Sequence, residues 1–169
     1  MVSDRERMLW RRYNALLTTV PGMLDERMRA ATGLSRFHFT LLETLQSRPD
    51  RQLLLSDIAR AADSSLSRLS HAMARLEEAG LVERRPCDTD RRASWAVLTT
   101  AGEQAVSDGR VAFDSLVHEV LLDRIPEERR DDAIELLSSL LSAEVAAACE
   151  AVEVAVEGGT APIGAPLTL

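Results

Sequence analysis

The change of hydrophobic period at Gly80 constrains this chain more than any other feature. Before it, Leu66, Leu69, Met73 and Leu76 recur at three- and four-residue steps, the spacing of one helix face. Ser67, Arg68, His71 and Arg75 fill the opposite side. Gly80 then falls where a left-handed backbone ends a helix. Beyond it, LVERR and SWAVLT read as two short strands around the charged loop PCDTDRRA, with Trp95 and Val97 alternating as the packed set.

Upstream, residues 53–62 (LLLSDIARAA) read as a short helix with Leu55, Ile58, Ala59 and Ala62 inward. Asp63, Ser64 and Ser65 both end it and cap the next helix. Two helices joined by a short turn, the second with a polar face, make a helix-turn-helix, and the hairpin adds a wing. A helix of this kind fits the major groove of duplex DNA. The wing answers a puzzle in the charge pattern. The chain carries a formal charge of -7, yet Arg84, Arg85, Arg91 and Arg92 crowd around Asp88 and Asp90. An arginine-bearing tip beside a groove-reading helix can reach the neighbouring minor groove, where negative potential is concentrated.

The flanks are helical. Residues 4–30 place Leu9, Tyr13, Leu16, Val20, Leu24 and Met28 on one stripe, with an interruption or bend expected at Pro21–Gly22. Ser35 is a candidate N-cap for a helix carrying Phe37, Leu41, Leu42 and Leu45. After the wing, Thr100 and Glu103 have capping-box spacing, opening a helix with Val106, Phe113, Leu116, Val117, Val120 and Leu121 on one side. Pro126 opens a last helix with Ile134, Leu137, Leu141, Val145 and Val152, and the Gly/Pro-rich end is expected to be loose. Aromatic content of only 4% within 46% hydrophobic residues favours packed helices over a β-sandwich. The expected class is mainly α (α+β).

The stretch SLSRLSHAMARLEEAGLVERRPCDTDRRASWAVLTTAGEQ resembles the helix–wing signature of the MarR family of bacterial transcriptional regulators. The matching pieces are Arg75–Leu76–Glu77, Gly80 to Arg84, Asp90–Arg91–Arg92 and Leu98 to Gly102, and the order of helices agrees over roughly residues 5–150. The resemblance implies a homodimer whose terminal helices interlock and whose two winged lobes grip a pseudo-palindromic double-stranded operator. It implies Arg92 in the minor groove, oriented by Asp90, with Arg91 on phosphate or sharing that role. Ser64, Ser65, Ser67, Arg68, His71, Arg75 and Arg84 complete the expected DNA contacts. Ser64 equally suits a simple cap, Arg75 an ion pair with Glu78 or Asp57, and His71 a surface polar site. The expected division is residues 1–34 and 101–155 for dimerisation, 35–100 for the DNA-binding lobe, and 156–169 as a flexible tail.

Family likeness also implies a small-molecule effector beside Trp10, Tyr13, Phe37, His38 and Phe113, residues that ordinary core packing at a helix junction would equally explain. Cys87 and Cys149 have neither metal-like spacing nor the N-terminal place of redox-sensing thiols, so no cofactor and no metal are expected. No phosphate loop or nucleophile elbow appears, which argues against an enzyme. The rival function is a winged-helix adaptor for proteins, without DNA binding. Fourteen of the 27 acids lie after residue 100, so those helices should face away from DNA. Neither an apolar span nor a signal core is evident, and a cytoplasmic protein with no membrane partner is expected.

Overall fold

The computed structural model describes residues 1–61, 65–87, 93–147 and 149. The chain begins with α1 (Asp4–Thr32), started by a capping box in which Ser3 and Glu6 serve each other's backbone amides. The helix runs through Pro21 as one element rather than breaking there, and ends on Gly33 at φ 75°. Its stripe divides in two. Met28 is fully buried, whereas Leu9, Tyr13 and Leu16 are exposed on the isolated chain. Next comes α2 (Arg36–Gln46), capped as expected by Ser35, whose hydroxyl accepts from the His38 amide at 3.1 Å.

The run of three leucines after Gln52 is not the start of a helix. Gln52–Leu54 form β1, pairing antiparallel with Val97, Ala96 and Trp95, and the helix α3 (Leu55–Ala61) begins only afterwards. A short apolar run suits strand or helix equally, and here the open edge of the wing supplies the partner that decides it. Then α4 (Leu66–Glu78) starts from the cap Ser65 and stops at Gly80, φ 72°. The hairpin of β2 (Val82–Pro86) and β3 (Ser94–Leu98) completes a sheet of order β1-β3-β2. Its inward face is the reverse of the expected one. Val82, Ala96 and Leu98 are buried, while Trp95 and Val97 are only half-buried on the other side. The small Ala96 sits over the core, where a tryptophan would not fit between sheet and helices.

The long helix α5 (Thr100–Val120) is capped by Thr99, not Thr100. After Pro126 a single 3-10 turn (Glu127–Arg129) precedes α6 (Arg130–Ser138). The expected continuous last helix is split, because Leu140 and Leu141 bond back only three residues and Ser142 caps a further helical stretch at Val145. Val152 and the expected tail, 156–169, lie outside the described residues.

The core gathers Met28 of α1, Phe39, Leu41, Leu42 and Leu45 of α2, Ile58, Leu69, Met73 and Leu76 of the helix-turn-helix, and Val106 and Leu116 of α5. In contrast, Leu9, Leu16 and Leu17 on α1, Val111 on α5 and Ile134 and Leu137 on α6 are exposed by half or more. Among the described residues no helix is long and apolar enough to cross a membrane.

Candidate nucleic-acid interface

The amphipathic split of α4 builds the site. Leu69, Ala72, Met73 and Leu76 face the core, which leaves Ser65, Ser67, Arg68, His71 and Arg75 on the exposed side. All five are candidate contacts, and the fold brings them onto one surface. Ser65 does double duty there. Its hydroxyl oxygen accepts from the Arg68 amide at 3.2 Å, so its hydrogen remains available to an outside acceptor. The Arg68 guanidinium lies 4.4 Å from the centre of the Phe37 ring on α2, held by cation–π attraction rather than by a carboxylate. Among the described residues no carboxylate pairs with it, and it is exposed. Among the described residues Arg75 enters no ion pair, with Glu78 or otherwise. Ser64 lies outside them.

The hairpin stands beside α4. Cys87 donates its amide to the Ala93 carbonyl at 3.2 Å, the last described rung before the tip. Asp90, Arg91 and Arg92 lie outside the described residues. Along β2 the two arginines part company, as alternation requires. Arg85 faces solvent and pairs with Glu83 at 2.9 Å, each holding the other's charge: the carboxyl is pushed down and the guanidinium up. Arg84 turns the other way. Its Nη2 donates to the Ser70 carbonyl at 2.8 Å and its Nε lies 3.3 Å from Glu77, so it lies against α4 instead of reaching outward.

The far end of α4 is anchored by Thr99 and Gly102, which the sequence marked only as part of the Leu98 to Gly102 stretch and not for this role. Thr99 Oγ1 donates to the Gly80 carbonyl at 2.7 Å and accepts from the Gly102 amide at 3.0 Å. Gly102 has no space for a side chain, since a Cβ there would collide with the Leu81 carbonyl and Leu98. The LTTAG run thus ties the end of the polar helix to the start of α5. Its signal was present as a threonine–glycine spacing, but the partner carbonyl at Gly80 is invisible without the fold.

Trp10 and Tyr13 pair at 5.9 Å on exposed α1, Phe113 packs on Phe39 at 6.1 Å, and Phe37 neighbours His38 at 6.5 Å. No ring contact joins these three sets among the described residues. His38 sits half-buried on α2, within electrostatic reach of Arg29 and Asp25 on α1 and of Arg75 on α4. Burial first, then the charges of Arg75 and Arg29, hold its imidazole below the ordinary 6.5, with Asp25 opposing.

An ion pair buried on its carboxylate side joins this lobe to α5. Arg110 Nε donates to Glu43 Oε1 at 3.2 Å, and Glu43 is only 2% exposed. Burial raises the Glu43 carboxyl above its ordinary range, against the lowering pull of Arg110.

A family model described as the MarR family matches residues 32–93. The chain is similar to the solved structure of Sco3205, a MarR family transcriptional regulator from Streptomyces coelicolor, in complex with DNA. Identity is 29%, coverage 83% of this chain and 88% of that one, and the TM-score 0.71. It is also similar to AbsC, a MarR family transcriptional regulator from the same organism, at 27% identity, 83% and 94% coverage and a TM-score of 0.69. A mutant of MarR from E. coli, complexed with operator DNA, shares the fold at 19% identity, 79% and 94% coverage and a TM-score of 0.64.

Proposed function

We propose that this chain belongs to the MarR family and is a homodimeric, sequence-specific regulator that binds a pseudo-palindromic operator in double-stranded DNA. The observation that carries this reading is the exposed polar face of α4, where Arg68 and Arg75 enter no ion pair among the described residues, beside a hairpin whose tip sequence is DTDRR. Helix width matches the major groove, and the hairpin extends toward the adjoining minor groove. Ser64, Ser65, Ser67, His71 and Arg91 contribute hydroxyl, imidazole and guanidinium donors to phosphates or base edges, while Asp90 orients Arg92. Similarity to Sco3205, solved with DNA, supports the same partner.

The exposed leucines of α1 and α6 support dimerisation, because contiguous apolar surface of this kind marks an interface. We assign residues 1–34 and 101–155 to that role and 35–100 to the DNA-binding lobe. Operator occupancy would exclude polymerase, so we infer a repressor acting in the cytoplasm. A small-molecule effector would be met by Trp10, Tyr13, Phe37, His38 and Phe113 between the dimerisation helices and the DNA-binding lobe.

Gel-shift titration tests the reading, using a duplex selected by the protein from fragmented genomic DNA. Arg68→Ala and Arg92→Ala should each weaken binding by about 1–3 kcal/mol at constant fold, and Asp90→Ala by less. Wild-type binding by both arginine variants would overturn the assignment, and a protein that selects no duplex would favour the adaptor alternative.

A further inference from the structure

We infer that Arg84 is a positioning residue that sets the wing's angle against the recognition helix α4, with Glu77 and the Ser70 carbonyl as its two anchor points. This rests on the DNA-binding reading above and assigns Arg84 a different role from its arginine neighbours. The Glu77 carboxylate accepts from the Arg84 backbone amide at 3.4 Å through Oε1 and faces Arg84 Nε at 3.3 Å through Oε2. The guanidinium then reaches up the helix to the Ser70 carbonyl at 2.8 Å. Ser70 and Glu77 are two helical turns apart, a span of about 10 Å. Arg84 therefore lies along α4 and is held at both ends.

Two-point attachment does what the adjoining turn cannot. The turn through Gly80 fixes where β2 leaves the helix, and pairing with β3 holds β2 within the sheet, but the hairpin as a unit can still swing against α4 about that turn. A planar, forked guanidinium bound at a second point removes that freedom. Strength is not the reason for the contact. An ion pair with partners this exposed, 27% and 43%, contributes little to stability. Geometry is the reason. β2 ends at Pro86, and Cys87 lies seven residues past the pivot at Gly80, about 23 Å at 3.3 Å per residue, so a swing of about 10° moves the root of the tip by about 4 Å. Hydrogen bonds to base edges and to phosphates do not survive displacements of that size. Specific binding requires helix and wing to be seated together, whereas non-specific binding draws on phosphate charge alone.

The latch and a plain phosphate contact predict opposite outcomes. Full-length protein is titrated against a duplex selected by wild type from a randomised library, and against a scrambled duplex of the same length. Expected are losses on the order of tenfold on the selected duplex for Arg84→Ala, Arg84→Lys and Glu77→Ala alike. Affinity for the scrambled duplex should change less than about threefold, with circular dichroism and dimer mass unchanged. The Arg84→Ala/Glu77→Ala double variant should bind no more weakly than the worse single one. Glu77→Ala keeps helix propensity high and removes a negative charge, so electrostatics alone would tighten binding. Tighter binding by Glu77→Ala, full rescue by Arg84→Lys, or equal losses on both duplexes would each overturn the latch while leaving the DNA reading intact. Failure of the wild type to enrich any duplex would overturn both.

Discussion

Thr99 bonds to Gly80 across 19 residues of sequence, its hydroxyl 2.7 Å from the glycine carbonyl, and so closes the end of α4 onto the first turn of α5. The same hydroxyl caps α5 through the Gly102 amide. Thr99→Val keeps the shape and loses both bonds, and should cost about 1–3 kcal/mol in urea unfolding. Thr100→Val, one residue on at an exposed position, should cost under about 0.5 kcal/mol. Equal effects at the two positions would reassign the cap.

The pair of Glu43 and Arg110 is expected to respond asymmetrically. Arg110→Ala leaves a buried carboxylate without its donor and should destabilise by about 1–3 kcal/mol, toward the lower end because Arg110 is 43% exposed and water can replace it. Glu43→Gln removes the charge and should cost less. Because the folded Glu43 carboxyl is raised, its stabilising contribution is present below its ordinary 4.5 and declines as pH rises through the raised value. Chemical melts of wild type and Glu43→Gln between pH 4 and 7 should differ by that decline.

His38 gives the opposite limb. Its folded value is depressed, by burial and then by Arg75 and Arg29, so its contribution is complete above the ordinary 6.5 and is lost as pH falls through the folded value. Melting temperature should fall on acidification below 6.5, and His38→Gln should flatten that fall. Parallel curves for the two proteins would exclude His38 as the source.

The outward leucines predict the assembly state. Leu16→Glu and Leu137→Glu each replace exposed apolar surface with charge, at a loss of about 1.5–3 kcal/mol of burial per side chain in a dimer. Sedimentation should shift from dimer toward monomer mass for both variants, with far-ultraviolet dichroism retained. A wild type that sediments as a monomer at ~10 µM would remove the basis for the interlocking reading.

Local chemistry made much of this protein legible from its residues. Caps act within four positions, so Ser35, Ser65 and Gly80 mark helix limits that the structure reproduces. The polar face of α4 follows from a 3.6-residue period and needs no partner to be read. Properties that depend on a distant neighbour were not legible. Leu53 and Leu54 became strand because β3 offered an open edge. Ala96 and not Trp95 faced the core because the space beneath the sheet was already filled by helices. Arg84 and Arg85 are the same residue type at adjacent positions, yet strand alternation sends one to solvent and the other onto Ser70 and Glu77. Short-range bonding is encoded where it acts, whereas facing, pairing and reach depend on which surface the folded chain brings opposite.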